Sequence, residues 1–361
     1  MGRWMNSGRS SIWRMGAFGV FLLAANFTAA QTPSPALLVL EKSDNSLAIV
    51  DPATLQIVAR VPAGPDPHEI VASADGKLAY ISNYGGSDSA LNTISVIDLA
   101  TGKALTPINL GALHSAHGLA FAGGKLYFTA ETNKAVGRYD PATQSVDLVL
   151  GTGQDRTHMV AVSESLDRIV TSNVSSGTIS IIEQVSPPSG GFGPPPGSNG
   201  PPGSTRKTWR VTNIAAGHGA EGFDVSPDGR EIWAANAQDA TVTIIDAASK
   251  RVTQTLPISL RGANRLKFTP DGKRVLIAGG GGGGAADNSL VVMDAATWKE
   301  VKQLNLGGGA AGILIVPDGS RAYVAVSGKD KVAVVDLKSL EVTGYASMGK
   351  QPDGLAWVQR N

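Results

Sequence analysis

A short segment of alternating apolar and polar residues, ending in an acid, recurs seven times along the chain. It appears as Leu47–Asp51, Ser95–Asp98, Val136–Asp140, Ile179–Glu183, Val242–Asp246, Leu290–Asp294 and Val332–Asp336. The terminal acids lie 47, 42, 43, 63, 48 and 42 residues apart. Short strands at a period of 40–50 residues mark the blades of a β-propeller. The one long interval contains a Pro/Gly-rich stretch, residues 186–205, whose 20 residues account for the excess. Such a composition cannot build a packed core and is expected to form a loop inserted in one blade.

A second marker precedes six of these segments. It is a turn of the type SADGK (73–77), SPDGR (226–230) or TPDGK (269–273) between two apolar runs. Asp-Gly at that place signals a hairpin, because glycine tolerates the positive φ that tight turns require. Four strands per repeat follow, named A to D from the channel outwards. At the N-terminus Leu37–Glu41, Leu47–Asp51 and Leu55–Val61 supply only B, C and D, and Gly354–Val358 at the other end supplies the missing A. The expected fold is all-β, a seven-bladed propeller with one blade shared between the two ends of the chain. That arrangement leaves no open ring edge to aggregate.

The first thirty residues have a different character. Arg3, Arg9 and Arg14 precede an apolar run from Gly16 to Phe27, and Thr28-Ala29-Ala30 offers a cleavage site before Gln31. Residues 1–30 therefore read as a signal peptide, with a retained anchor as the alternative, and 31–361 as the propeller. The expected location is the periplasm or the cell exterior, with no membrane contact after cleavage. Formal net charge is +1, which gives no reason to expect nucleic acid as a partner. The absence of cysteine excludes disulfides, thiolate metal sites and a thiol nucleophile. A monomer is expected, with a small anionic molecule or a periplasmic protein as partner.

Aligning the repeats on strand A sorts the histidines. One ring of equivalent positions holds His68, His117, His158, Glu221, Asn264, Ala311 and Asp353. The ring three residues upstream holds Pro65, His114, Asp155, His218, Arg261, Gly308 and Lys350. These fourteen positions contain all five histidines of the chain. In a propeller they converge on the mouth of the central channel. His68, His117, His158 and Glu221 are the candidate ligands of a divalent transition metal, since imidazole and carboxylate suit such ions. Arg156, Arg265, Asn264 and Asp353 are candidates for binding an anionic substrate. His114 and His218 are candidate acid–base groups. The strand-B ends add Glu41, Asn83, Glu131, Asn173 and Asn236 to the same face, each asparagine taken singly reading better as a turn former. A metal-free ligand pocket and a solvated polar channel mouth are the alternatives. Gly279–Gly284 is a B-to-C loop on that face; it lacks the Lys-Ser/Thr of a phosphate loop.

The strings SPDGREIWAAN (226–236) and ATVTIIDAASKRV (240–252) resemble YVTN-type β-propeller repeats, and the resemblance covers about residues 36–358. It implies the propeller fold. It also implies a range of activities: lactonase-like enzymes, surface-layer proteins and accessory proteins of periplasmic redox systems. A lactonase-like member would be a metal-dependent hydrolase or isomerase of a lactone or sugar acid. Lactonase-like propellers can hold a hard cation with Glu, Asn and Asp; this inner ring is richer in histidine than that. Alternatives are a non-enzymatic binding scaffold and a metal carrier.

Overall fold

The computed structural model describes residues 32–85, 90–186, 207–280 and 289–360. Residues 1–30, expected to be a signal peptide, nearly all of the Pro/Gly insertion and Gly281–Gly284 lie outside the described residues. Among those described, seven small antiparallel sheets form the ring of a seven-bladed propeller. Blade 1 joins Pro352–Val358 as strand A to Ala36–Glu41, Ser46–Asp51 and Gln56–Pro62 as B, C and D. In the closing pair Leu38 faces Ala356 and Leu37 faces Trp357. Blades 2 to 7 follow in chain order with A strands at Pro67–Ala72, Ala116–Ala122, Thr157–Val162, Ala220–Val225, Arg265–Phe268 and Ile313–Ile315. The D strand of blade 2 is split into Lys103–Ala104 and Ile108–Asn109.

The strand patterns explain the ring. Strand B of blade 1 is apolar on both faces because a blade is packed on both sides. Leu37 and Val39 point to blade 7, while Leu38 and Leu40 point to blade 2. One such buried apolar cluster lies at each of the seven blade interfaces. The D strands face water on alternate residues, as in Gln56–Pro62.

The two sequence markers acquire structural reasons. The acid that ends strand C turns the chain: Asp51 accepts from the Ala53 N–H at 2.9 Å, and Asp294 from the Thr297 N–H at 2.8 Å. In the A-to-B turn, Ser226 donates to Asp228 at 2.6 Å and Gly229 takes φ of +72°.

Glycines after the inner-ring position bring the A strands together. A Cβ on Gly118 would stand 2.5 Å from the His158 carbonyl oxygen, and one on Gly354 would stand 2.5 Å from that of His68. Gly222 and Gly312 touch the next blade in the same way. These contacts show that the inner-ring positions are structural equivalents.

Candidate functional site

The inner ring lies at the A-strand starts, on the face shared by the B-to-C and D-to-A loops. Its polar members lie on blades 1 to 6. His117 and His158 are 3 % and 1 % exposed, and their ring centroids are 3.6 Å apart. His68 adjoins His117, with centroids 5.0 Å apart. His117, Glu131 and His158 each place a ligand atom within 4.8 Å of the others, so this buried group has the donors and spacing to hold a metal ion. His117 Nδ1 and His158 Nε2 are buried and lack a hydrogen-bond partner. Two unpartnered ring nitrogens side by side could take a ligand.

Glu131 is the residue whose position the sequence alignment misjudged. It does not occupy the strand-B end, which in blade 3 is Ala130. The asparagines that do occupy it close their own hairpins: Asn83 donates to Thr93 and Ser95 at 3.0 and 2.9 Å, and Asn236 to Thr241 and Thr243 at 2.9 Å each. Asn173 likewise donates to Ser180 at 2.9 Å. These three are turn formers. Glu41 is held by Ser46 and Arg60. Glu131 stands one residue further on, level with Lys42 in blade 1 and Tyr84 in blade 2. All three reach towards the channel. Tyr84 donates to Glu131 Oε2 at 2.7 Å, Glu131 Oε1 bonds His158 Nδ1, and Lys42 Nζ lies 3.9 Å from Asp353.

A second group crosses the channel. Arg265 of blade 6 donates to Glu69 of blade 2 at 2.6 Å, and its other terminal nitrogen is 3.5 Å from Glu221. Glu69 was not recognised from sequence. The available signal is that its position is glycine in four repeats and is broken by Glu69, Met159 and Arg265. Glu221 Oε1 is also 3.6 Å from His158 Nε2.

The remaining expected residues are placed as follows. Arg265 is buried and paired with carboxylates, whereas the Arg156 side chain is 42 % exposed with Glu131 at 3.7 Å. Asn264 donates to the Ala310 carbonyl at 3.4 Å and leaves its Oδ1 unpartnered. Asp353 is buried beside Arg265 and Lys42. His114 and His218 form no bond with the inner group. His114 Nδ1 donates to the Ala112 carbonyl at 2.9 Å, and exposed His218 pairs with Asp239 at 3.0 Å. Their backbone N–H groups bond Asn133 and Asp239, docking each D-to-A loop onto its own blade.

Burial governs the electrostatics. It holds His117 well below the ordinary imidazole range, helped by the charges of His158, His68 and Arg265. Burial also opposes charge on His158, but its contacts with Glu131 and Glu221 outweigh that and raise it. Glu221 is correspondingly pulled down to about 2 against its own burial by His158. Burial and Lys42 lower His68 to about 4. Burial raises Asp353 to about 6, Arg265 opposing and Glu69 adding. Grooves of about 550–630 Å³ on the opposite face, lined by turn residues such as Asp228 and Lys273, contain no comparable cluster among the described residues.

No family model matches the chain, and no curated protein matches it. Solved structures do. A provisionally assigned 6-phosphogluconolactonase from Bacteroides uniformis is 14 % identical, with a TM-score of 0.67 over 90 % of this chain and 99 % of its own. Another from Bacteroides fragilis is 16 % identical, with a TM-score of 0.67 over 91 % and 99 %. Dihydro-haem d1 dehydrogenase NirN, in complex with DHE, is 16 % identical, with a TM-score of 0.60 over 89 % of this chain and 74 % of its own. At these identities the likeness shows the propeller fold.

Proposed function

We propose that the protein is an exported, metal-dependent hydrolase acting on a lactone or a related sugar-acid derivative. The observation that carries this reading is the buried pair His117 and His158, each with an unpartnered ring nitrogen, beside carboxylates from Glu131 and Glu221. Two imidazoles and a carboxylate form an open site for a divalent transition metal. Such an ion, when bound, polarises a carbonyl or lowers the pKa of a bound water. The provisional lactonase assignments of two structural neighbours support the substrate class.

The chain's own groups divide the remaining work. Arg156, exposed at the mouth, offers its guanidinium to a substrate carboxylate or phosphate. His68 donates from Nδ1 to the Asp66 carbonyl at 3.1 Å, which leaves Nε2 as the lone-pair nitrogen facing its neighbours. Being neutral at working pH, it serves as an additional ligand or hydrogen-bond acceptor. His114 and His218 serve as proton carriers for a substrate that extends to the rim.

Metal analysis of protein purified without an affinity tag, before and after reloading, tests the reading. About one ion per chain is expected, and less than about a tenth after reloading overturns it, given the affinities such sites reach. Lactone hydrolysis that stops on chelation and returns with metal supports the reaction class. An N-terminus at Gln31 in the mature protein tests export.

A second reading, a non-enzymatic binding platform, is favoured by the pairing of the inner charges: Arg265 with Glu69, Lys42 with Asp353 and Arg156 with Glu131. Loss of ligand or partner binding in His117→Ala and Glu221→Ala, with no turnover of any lactone by the parent protein, would establish it.

A further inference from the structure

Resting on the metal reading above, we propose that Glu131 is not a metal ligand but the positioning residue of His158, itself steadied by Tyr84, and that the carboxylate ligand is Glu221. The geometry separates the two acids. Glu131 Oε1 bonds His158 Nδ1 directly, so neither atom is free to bind an ion while that bond holds. A carboxylate oxygen only accepts, so the proton of this bond sits on Nδ1. The nitrogen left to bind metal is Nε2, the one with no hydrogen-bond partner. Glu221 Oε1 lies 3.6 Å from that nitrogen. Two donors on a four-coordinate ion with bonds of about 2.0–2.2 Å stand about 3.3–3.6 Å apart. Glu221 and His158 Nε2 are thus already at ligand–ligand spacing, with His117 Nδ1 as the second unpartnered nitrogen.

The remaining contacts fit the same division. Glu131 has both oxygens in use: Oε1 on the imidazole, and Oε2 accepting the Tyr84 hydroxyl at 2.7 Å with Arg156 at 3.7 Å. The phenol therefore fixes the rotation of the carboxylate, and the carboxylate fixes the tautomer and plane of His158. A carboxylate oxygen only accepts, so the Tyr84 hydroxyl is the donor in this bond. Glu221, by contrast, has Arg265 at 3.5 Å on one side and His158 on the other, and is the more exposed of the two acids. A carboxylate behind a ligating histidine sets its orientation and basicity.

Co²⁺ is the probe, because a four-coordinate Co²⁺ site has strong visible bands that weaken when a ligand is lost. Parent protein is compared with Glu221→Gln, Glu131→Gln and Tyr84→Phe by Co²⁺ titration and visible spectra, folding being checked by thermal melting. Glu221→Gln is expected to lose more than about 100-fold in affinity and to change the bands. Glu131→Gln, which still accepts from Nδ1, should lose about 10–100-fold with the bands retained, and Tyr84→Phe about tenfold or less, as for outer partners of metal ligands. Should Glu131→Gln abolish the bands while Glu221→Gln keeps them, the assignment is reversed and the proposal falls. Unchanged affinity in Tyr84→Phe removes Tyr84 from the proposal, and Glu221→Gln decides between the two acids if Glu131→Gln does not fold, retained bands there overturning the assignment. Parent protein that takes up no Co²⁺ refutes the metal reading itself, a separate result.

Discussion

Two blade interfaces show how differently one repeat can be used. Between blades 1 and 2, fourteen buried apolar residues form the cluster, including Leu38, Leu40, Leu47 and Ile81. Between blades 3 and 4 the cluster has five, Tyr127, Val136, Val160, Ile169 and Ile182. The inner end of the second interface is given over to His117 and His158, whose rings lie 3.6 Å apart and are tilted by 31°. Thr129 fastens the two blades there, donating to the His158 carbonyl oxygen at 2.7 Å and accepting the Gly118 N–H at 2.9 Å. The first interface holds the ring together through apolar burial. The second gives up apolar burial for polar groups placed where a ligand can meet them, which is the usual exchange between stability and function.

The contrast can be broken at its strong side. Leu40 is fully buried, and Leu40→Ala is expected to cost about 2–5 kcal/mol in chemical denaturation. Metal stoichiometry of the folded fraction should be unchanged; a variant that loses metal at full stability would show the two interfaces to be coupled. Gly118→Ala and Gly354→Ala sharpen the comparison, because each new Cβ meets a carbonyl oxygen at 2.5 Å. Both should destabilise by about 1–3 kcal/mol, the scale of overpacking. Gly118→Ala, which pushes against His158, should weaken metal binding more than Gly354→Ala, which pushes against the outlying His68; an equal loss in both would deny the 3–4 interface its special role.

The smallest effect concerns Asp353, whose folded pKa of about 6 lies above its ordinary value of 3.8 because of burial. Between those values the folded form binds the extra proton, so stability falls as pH rises from about 4 to about 6 and is level above that. Asp353→Asn should flatten this slope in denaturation curves taken across that range. A slope that persists in the variant assigns it to another group.

The repeats made most of the fold legible. The C-strand acids and the Asp-Gly turns counted the blades, and the glycine contacts between A strands agree with the alignment that gathered His68, His117, His158 and Glu221. Glu131 shows where that reading ends. Grouping it with Asn83 and Asn236 placed it one residue out, because the blade 3 hairpin has Ala130, Ala135 and Gly137 where those blades have an asparagine and two hydroxyls. Tyr84 and Lys42 were passed over for the same reason. The pairing of Glu69 with Arg265 was out of reach for a different one: 196 positions separate them, and only closure of the ring brings them to 2.6 Å.

The shared first blade also sets the timetable of folding. Strand B, Ala36–Glu41, is synthesised well before its partner Pro352–Val358, with the six other blades between them. At about 5–20 residues per second the two are made many seconds apart, and strand B keeps an unpaired edge throughout. Contacts so distant along the chain fold slowly. The ring therefore closes only after Pro352–Val358 has been made, and a nascent or truncated chain lacking that strand is the form most exposed to edge-to-edge self-association.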